Sequence, residues 1–194
     1  MLFKKAKSRR SEKNRFRRVF LEQLEDRRML AVIHPFDLAT LDGSNGFRLD
    51  GIDANDYAGD SVSTAGDING DGYADILVGA HYADPGGDSA AGETYVVFGS
   101  GSGFAASLDL SALDGNNGFR LDGIDENDHS GWSVSTAGDV NGDGYADIMV
   151  GAYYAHGGTG LAGETYVVFG SGSGFAASLD LSTLNGSNGF RLDG

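Results

Sequence analysis

The chain repeats itself, and this duplication restricts the fold more than any other feature of the sequence. Three segments recur at a spacing of 71 or 72 residues. They are Phe47–Gly51, which returns at 119–123 and 190–194, Asp67–Asp75, which returns at 139–147, and Glu93–Gly99, which returns at 164–170. Self-similarity at a fixed period predicts one supersecondary unit that has been duplicated and stacked.

Each unit has the pattern of short β-strands. Glu93–Phe98 and Asp75–Val78 are runs rich in Val, Ile, Tyr and Phe, and Gly and Ser residues flank these runs. Tyr95–Phe98 is apolar on both faces, which predicts a strand buried between stacked sheets. Ser61–Gly66 is a strand of small residues, and Gly118–Asp122 alternates apolar and polar residues as a half-exposed outer strand does. The sequence therefore predicts an all-β fold of β-propeller blades, two four-stranded repeats with a flanking strand.

Composition and charge exclude several classes of protein. The 32 glycines do not fall at every third residue, so the chain is not collagen, and the absence of cysteine excludes disulfide scaffolds, thiol catalysis and cysteine zinc sites. Residues 1–30 carry 11 Lys and Arg against four acids, whereas the remainder carries three basic and 24 acidic residues. Such an acidic body repels nucleic acid and anionic lipid and attracts divalent cations. No run of 18 apolar residues occurs, so we expect no transmembrane helix.

The chemistry of the chain lies in the repeated aspartate loop. Oxygen side chains stand at positions 1, 3, 5 and 9, glycine at position 6 permits a sharp turn, and the carbonyl of position 7 points inward. Hard oxygen donors without His or Cys select Ca²⁺ over zinc or copper. The candidate ligands are Asp67, Asn69, Asp71, the Tyr73 carbonyl and Asp75 in the first loop, and Asp139, Asn141, Asp143, the Tyr145 carbonyl and Asp147 in the second.

The loop pattern also fits two other interpretations. An EF-hand begins in the same way but needs a bidentate Glu at position 12, where this chain has Val78 and Val150 inside strands. That difference disfavours an EF-hand and its dockerin variant. The second alternative is a metal-free turn, because Asp, Asn and Gly suit turn geometry by themselves. Two copies with every oxygen position intact favour calcium.

The unit resembles the FG-GAP repeat, the blade of the seven-bladed propeller of integrin α-subunits, which is also found in many bacterial surface proteins. The resemblance covers about residues 36–194 and rests on Gly59–Asp67, the aspartate loop, Ile76–Ala80 and Tyr95–Gly99. It implies that the loop joins the two innermost strands and binds calcium through the ten residues named above. The sequence departs from the family at 58–59 and 130–131, which lack the Phe of Phe-Gly, and at 79–81 and 151–153, which lack the Pro of Gly-Ala-Pro.

The basic segment has a resemblance of its own. Leu24–Leu30 is similar to the Leu-Glu-Pro-Arg-x-Leu-Leu motif near the start of large bacterial exported proteins, with Asp26 in place of Pro and Met29 in place of Leu. The resemblance implies an export address and a secreted or cell-surface bacterial protein. The alternatives are a basic tail without an address and a nucleic-acid arm, which the acidic body disfavours.

The predicted organisation has three parts. Residues 1–30 are the targeting segment, residues 36–113 the first blade with a leading strand, and residues 114–194 the second blade with the start of a third. Two blades leave their outer faces and strand edges exposed to water. We therefore expect either a truncated part of a larger propeller or a homo-oligomer of three or four chains.

The sequence offers no catalytic constellation. It contains no Gly-x-Ser-x-Gly, His-Glu-x-x-His or phosphate-binding loop motif. His34, His81, His129 and His156 do not recur between repeats and are expected at scattered surface positions, with Trp132 on an exposed blade edge. The sequence thus predicts a non-catalytic, calcium-binding adhesion or scaffold module with a protein or glycan ligand on a propeller face. The alternative is the non-catalytic repeat portion of a larger secreted hydrolase of the phospholipase type.

Overall fold

A computed structural model describes residues 36–156 and 160–194. The chain divides into two units, Met1–Leu38 and Ala39–Gly194, and almost all described residues belong to the second unit. The predicted targeting segment, residues 1–30, lies outside the described residues, so its assignment stays a prediction.

The regular structure of the described residues is β-strand with four short 3-10 helices. The strands are β1 (Arg48–Asp50), β2 (Ser61–Gly66), β3 (Asp75–Ala80), β4 (Glu93–Val97), β5 (Ser107–Asp109), β6 (Gly118–Asp122), β7 (Ser130–Gly138), β8 (Asp147–Ala152), β9 (Glu164–Val168), β10 (Ser178–Asp180) and β11 (Gly189–Asp193). The helices are Leu38–Thr40, Pro85–Gly87, Leu110–Ala112 and Leu181–Thr183. The predicted all-β fold class is confirmed.

Each repeat builds one four-stranded antiparallel blade. The first blade has the order β2-β3-β4-β6, and the second has the equivalent order β7-β8-β9-β11. β10 joins the outer edge of the first blade by pairing in parallel with β6, and β1 and β5 form a separate two-stranded parallel sheet. These parallel pairs link the outer strand of one sheet to the chain of the next repeat.

The burial of the strands follows from their sequences. All five residues of β4 are buried, as a strand that is apolar on both faces requires. In β6, Phe119 and Leu121 are buried while Arg120 and Asp122 are partly exposed, which is the alternation of an outer strand. The expected burial of the central strand and alternation of the outer strand are both present.

The two blades share one hydrophobic core. Leu77, Val96 and Phe119 of the first blade form a single cluster with Ile148 and Val150 of the second. A second cluster covers the opposite face of the first blade. It contains Val78, Ala80, Ala83, Tyr95, Val97, Leu110 and Leu113. The first blade is therefore packed on both faces.

The outer strands differ in one respect from the sequence-based organisation. The predicted boundaries placed Gly118–Asp122 in the second blade and Gly189–Asp193 at the start of a third. In the structure, β6 pairs with β4 and completes the first sheet, and β11 pairs with β9 and completes the second. The repeated segment has the same sequence in all three places, so the sequence alone could not tell which sheet takes it.

Candidate metal centre

The two aspartate loops connect β2 to β3 and β7 to β8, the two inner strands of each blade. Position 6 of each loop has a left-handed backbone, with φ of +90° at Gly72 and +94° at Gly144. Residues with a Cβ rarely adopt this conformation, which explains why both loops have glycine there. The loops lie side by side, since the Ala146 N–H donates to the Asp67 carbonyl over 3.0 Å.

The aspartate at position 1 organises each loop. One carboxylate oxygen of Asp67 accepts hydrogen bonds from the N–H groups of Gly70 (2.8 Å) and Asp71 (3.0 Å), and the other accepts from Gly72 (2.9 Å). The carboxylate of Asp139 accepts the same three bonds in the second loop, over 2.7–3.1 Å. The backbone thus fixes this carboxylate on the inner side of the turn.

Positions 3 and 5 are joined to each other. The Asn69 side-chain oxygen accepts from the Asp71 N–H over 2.9 Å, and the Asn69 amide nitrogen donates to the Asp71 carboxylate over 3.1 Å. The other Asp71 carboxylate oxygen accepts from the Tyr73 N–H over 2.9 Å. The second loop repeats each of these bonds between Asn141, Asp143 and Tyr145.

The aspartate at position 9 is buried beneath the loop. Asp75 is the first residue of β3, and its two carboxylate oxygens accept from the Ile68 and Gly99 N–H groups, each over 2.8 Å. Burial raises the pKa of Asp75; these two hydrogen bonds oppose the shift, and the nearby charges of Asp71 and Asp67 add to it. Asp147 has the equivalent place in the second repeat, where it accepts from the N–H groups of Val140 and Gly170.

The structure places all ten predicted ligands in these two loops. Among residues 36–156 and 160–194, however, no three His, Cys, Asp or Glu side chains are grouped in a way that could hold a metal ion. The three aspartates of each loop belong to those residue types, whereas the other two predicted donors, an Asn side chain and a Tyr carbonyl, do not. The donor set is entirely oxygen, which fits Ca²⁺ in its chemistry. The assignment of the ten ligands stays a prediction.

The opposite end of the strands carries an aromatic cluster that the sequence analysis did not predict. His81 and His129 were expected on the surface, but they are 3% and 8% exposed. Their rings lie 5.8 Å apart between centroids, and His81 also contacts Trp132 at 4.5 Å. The partly exposed tyrosines Tyr57, Tyr82, Tyr153 and Tyr154 complete the cluster. The other repeat has Tyr153 at the position of His81 and Tyr57 at the position of His129. These aromatic equivalents are the signal in the sequence that could have indicated the cluster.

A buried polar pair also recurs in both blades. The Tyr95 hydroxyl donates to the Glu93 carboxylate, and Arg120 lies 3.5 Å from the same carboxylate. Burial raises the pKa of Glu93 and of Tyr95. Tyr166 and Glu164 form the equivalent pair in the second blade. The pattern Glu-x-Tyr on one strand face was visible in the sequence, but the contact of Glu93 with Arg120 depends on β6.

Comparison with known proteins assigns the repeats to a family. The model of the FG-GAP repeat family matches residues 58–97 and 130–168. The first match begins just before β2 and the second at the first residue of β7, and they end at the last residues of β4 and β9. The chain contains two segments that match the FG-GAP repeat. The resemblance of the repeated unit to this family is therefore confirmed.

Several integrin α-subunits are similar to the chain. Integrin alpha pat-2 of Caenorhabditis elegans is 39% identical over 49% of the chain, and integrin alpha-6 of Gallus gallus is 31% identical over 80% of the chain. Integrin alpha-PS2 of Drosophila melanogaster is 34% identical over 54% of the chain. The matches span 7%, 12% and 7% of these three relatives, so the chain corresponds to a small part of each.

Within the described parts of the chain, no helix is both long and apolar enough to cross a membrane.

Proposed function

We propose that the two FG-GAP repeats form a calcium-binding, non-catalytic propeller module of a secreted or cell-surface bacterial protein, which serves in adhesion or as a surface scaffold. The observation that carries the proposal is the repetition of one loop. Both loops have the same five donors and the same backbone hydrogen bonds to them, including the buried aspartate at position 9. Metal binding would explain why both repeats have all five oxygen donors of the loop.

The charge of each loop supports a bound cation. Three carboxylates stand within nine residues of chain. Each accepts hydrogen bonds from backbone N–H groups, which do not neutralise its negative charge. The charges of Asp71 and Asp67 raise the pKa of Asp75, so these like charges disfavour the folded loop. A divalent cation of the oxygen-preferring kind removes that repulsion. In the first repeat, Asp67, Asn69, Asp71, the Tyr73 carbonyl and Asp75 would hold it.

The place of the loop explains why calcium would matter to the blade. The loop joins the two inner strands, and its last aspartate also bonds the Gly99 N–H just beyond β4. Stabilising the loop therefore stabilises the contact between three strands of the sheet. The contribution is about 1.4 kcal/mol per site at about 1 mM calcium if the dissociation constant is about 10⁻⁴ M, a value in the range of extracellular modules.

The non-catalytic and extracellular parts of the proposal are supported by the relatives. The matches are integrin α-subunits, and they cover the repeat region of the chain. The protein or glycan ligand would then bind a propeller face, where loops that vary freely set the specificity. The bacterial origin is supported by the export-like motif of residues 24–30 alone.

Thermal melting with and without calcium tests the proposal. For the intact chain we expect the melting temperature to rise by about 5–10 °C on addition of about 1 mM calcium, since two occupied sites add roughly 3 kcal/mol. Asp71→Ala combined with Asp143→Ala removes the position 5 ligand from both loops and should abolish the rise.

The matched control separates a metal site from an ordinary turn. Asp42 and Asp114 are exposed aspartates that accept backbone N–H bonds in tight turns outside the two loops. Asp42→Ala combined with Asp114→Ala removes the same number of turn carboxylates and should leave the calcium-dependent rise intact. No rise in the intact chain, or an equal rise in the Asp71/Asp143 variant, would show that the loops are metal-free turns.

A further inference from the structure

The dipeptide Asn-Gly occurs six times in the chain, at Asn45, Asn69, Asn117, Asn141, Asn185 and Asn188. Asparagine loses its amide most readily before glycine, because glycine has no side chain to hinder attack of its backbone nitrogen on the neighbouring side-chain carbon. By sequence alone the six positions are equivalent. In the structure they differ in two features, which are the direction in which the asparagine side chain turns and the acceptor of the following N–H group.

Three of the six asparagine side chains turn back along the chain. The Asn45 side-chain oxygen accepts from the Asp42 N–H over 3.0 Å, and its amide nitrogen donates to the Thr40 carbonyl over 2.9 Å. Asn117 and Asn188 make the same pair of bonds to residues three and five positions earlier. In these three residues the amide is tied to the preceding turn and not to the glycine that follows.

The other three side chains turn forward. The side-chain oxygen of Asn69 accepts from the Asp71 N–H over 2.9 Å, and Asn141 makes the same bond in the second loop, also over 2.9 Å. Asn185 accepts from the Ser187 N–H over 3.0 Å. A bond of this kind forms an Asx turn, which folds the side chain over the residue between its two partners. That residue is glycine in all three turns, so the forward direction favours attack by the glycine nitrogen.

The acceptor of the glycine N–H separates Asn185 from the two loop asparagines. The Gly70 N–H donates to a carboxylate oxygen of Asp67 over 2.8 Å, and the equivalent bond in the second loop is 2.7 Å long. The Gly186 N–H donates instead to the Gly189 carbonyl over 2.8 Å. A carboxylate at this distance can take the proton from an attacking nitrogen, whereas a backbone carbonyl only accepts a hydrogen bond. Only Asn69 and Asn141, among the six, combine a forward turn with a neighbouring base.

Water has access to both sites. Asn141 and Gly142 are exposed, as is Gly70, and Asn69 is partly exposed. The hydrolysis that completes the loss of an asparagine amide therefore needs no opening of the fold.

We propose that Asn69 and Asn141 are sites of self-catalysed deamidation, in which the first aspartate of each loop is the general base. The Gly70 nitrogen forms a bond to the side-chain carbon of Asn69, and its proton goes to the Asp67 carboxylate. The bond between that carbon and the amide nitrogen breaks, and ammonia leaves with the proton returned through solvent. Water then opens the resulting cyclic imide at one of its two carbonyls, which gives aspartate or isoaspartate. The net reaction is hydrolysis of the amide, without oxidant or reductant.

The two products change the loop differently. The aspartate product keeps the backbone and adds a fourth carboxylate to the three of each loop. The isoaspartate product inserts one extra carbon into the main chain between β2 and β3, or between β7 and β8 in the second blade. The reaction would alter with time the loop on which the proposed function depends, but it does not itself require calcium.

Site-resolved mass spectrometry tests the proposal. The intact chain is kept at neutral pH with EGTA, and conversion of amide to acid is followed at each of the six asparagines. Asn69 and Asn141 should convert at least about tenfold faster than Asn185, since a positioned general base contributes about 10²–10⁴-fold. The three asparagines that turn back should be the slowest. In the chain unfolded by urea the six should convert at similar rates, because each is followed by glycine.

A single substitution identifies the base. In Asp139→Asn the new side chain keeps an oxygen that accepts the Gly142 N–H but cannot take its proton. Conversion of Asn141 should then fall to the rate of Asn185, while Asn69 in the same chain keeps its rate. Residue 140 is Val, so the substitution creates no new Asn-Gly.

The matched control is Asp109→Asn, at an exposed aspartate outside the loops that also accepts a backbone N–H. This control should change none of the six rates. Equal rates at all six sites of the folded chain, conversion of Asn69 and Asn141 no faster than that of Asn185, or an unchanged rate of Asn141 in Asp139→Asn would each overturn the proposal.

Discussion

Leu121 and Leu192 stand at equivalent positions of two nearly identical strands, β6 and β11, yet only Leu121 is buried. The difference comes entirely from the neighbouring repeat, which packs Ile148, Val150 and Tyr166 into the cluster that contains Leu121. At the scale of the residue, then, the energetic value of a side chain is set by its position in the stack of blades and not by its local sequence.

Matched substitutions measure this difference. Leu121→Ala should lower the free energy of unfolding by about 2–5 kcal/mol, because it leaves a cavity in a fully buried cluster. Leu192→Ala should lower it by less than about 1 kcal/mol, because the side chain is already half in water. Chemical denaturation at low protein concentration, where single copies prevail, provides both values. Equal losses for the two variants would contradict the burial difference.

The buried His81 gives the fold a pH dependence at the same scale. Burial lowers the pKa of His81; the carboxylate of Asp60, 3.7 Å away, opposes the shift and His129 adds to it. The rings of Tyr57, Tyr82 and Trp132 also face His81. The unfolded chain, with a His pKa of about 6.5, therefore binds a proton that the folded chain takes up only at lower pH.

Stability should accordingly fall as the pH drops below about 6.5, and His81→Asn should reduce that loss. Between the folded and unfolded pKa of His81 the unfolded state holds more protons, so the free energy of unfolding rises with pH in this window. Denaturation of both proteins at pH values from about 5 to about 7.5 measures the slope. An identical slope in His81→Asn would show that the acid sensitivity comes from the carboxylates.

At the scale of the element, the sequence was informative wherever a pattern is local. The double-sided apolar run of β4, the alternation of β6 and the glycine at position 6 of the aspartate loop each follow from a few neighbouring residues, and each is present. The ten candidate ligands lie in the loops between the inner strands for the same reason. Their hydrogen bonds are mostly to backbone within the same nine residues.

What the sequence could not predict depends on contacts between distant segments. The pairing of β11 with β9 involves a segment that occurs three times, so its partner is decided by the sheet and not by its own residues. The burial of His81 requires Trp132 and His129, about 50 residues further along the chain. The contact of Arg120 with the Glu93 carboxylate likewise exists only because β6 returns beside β4.

At the scale of the whole molecule, the two ends of the inner strands are specialised differently. Both aspartate loops lie side by side at one end, while the aromatic cluster around His81 lies at the other, about 20 Å away along six-residue strands. We propose that each repeat holds one calcium ion through its own loop. The two ends can then be altered independently by substitution.

A direct count of bound calcium tests this claim. Isothermal titration of the intact chain should give two ions per chain, with an affinity of about 10⁻⁴–10⁻³ M that is typical of extracellular modules. Asp71→Ala should bind one ion, and Asp71→Ala combined with Asp143→Ala should bind none. A chain that binds no calcium in this range, or a double variant that still binds two ions, would contradict the claim that the aspartate loops are the calcium sites.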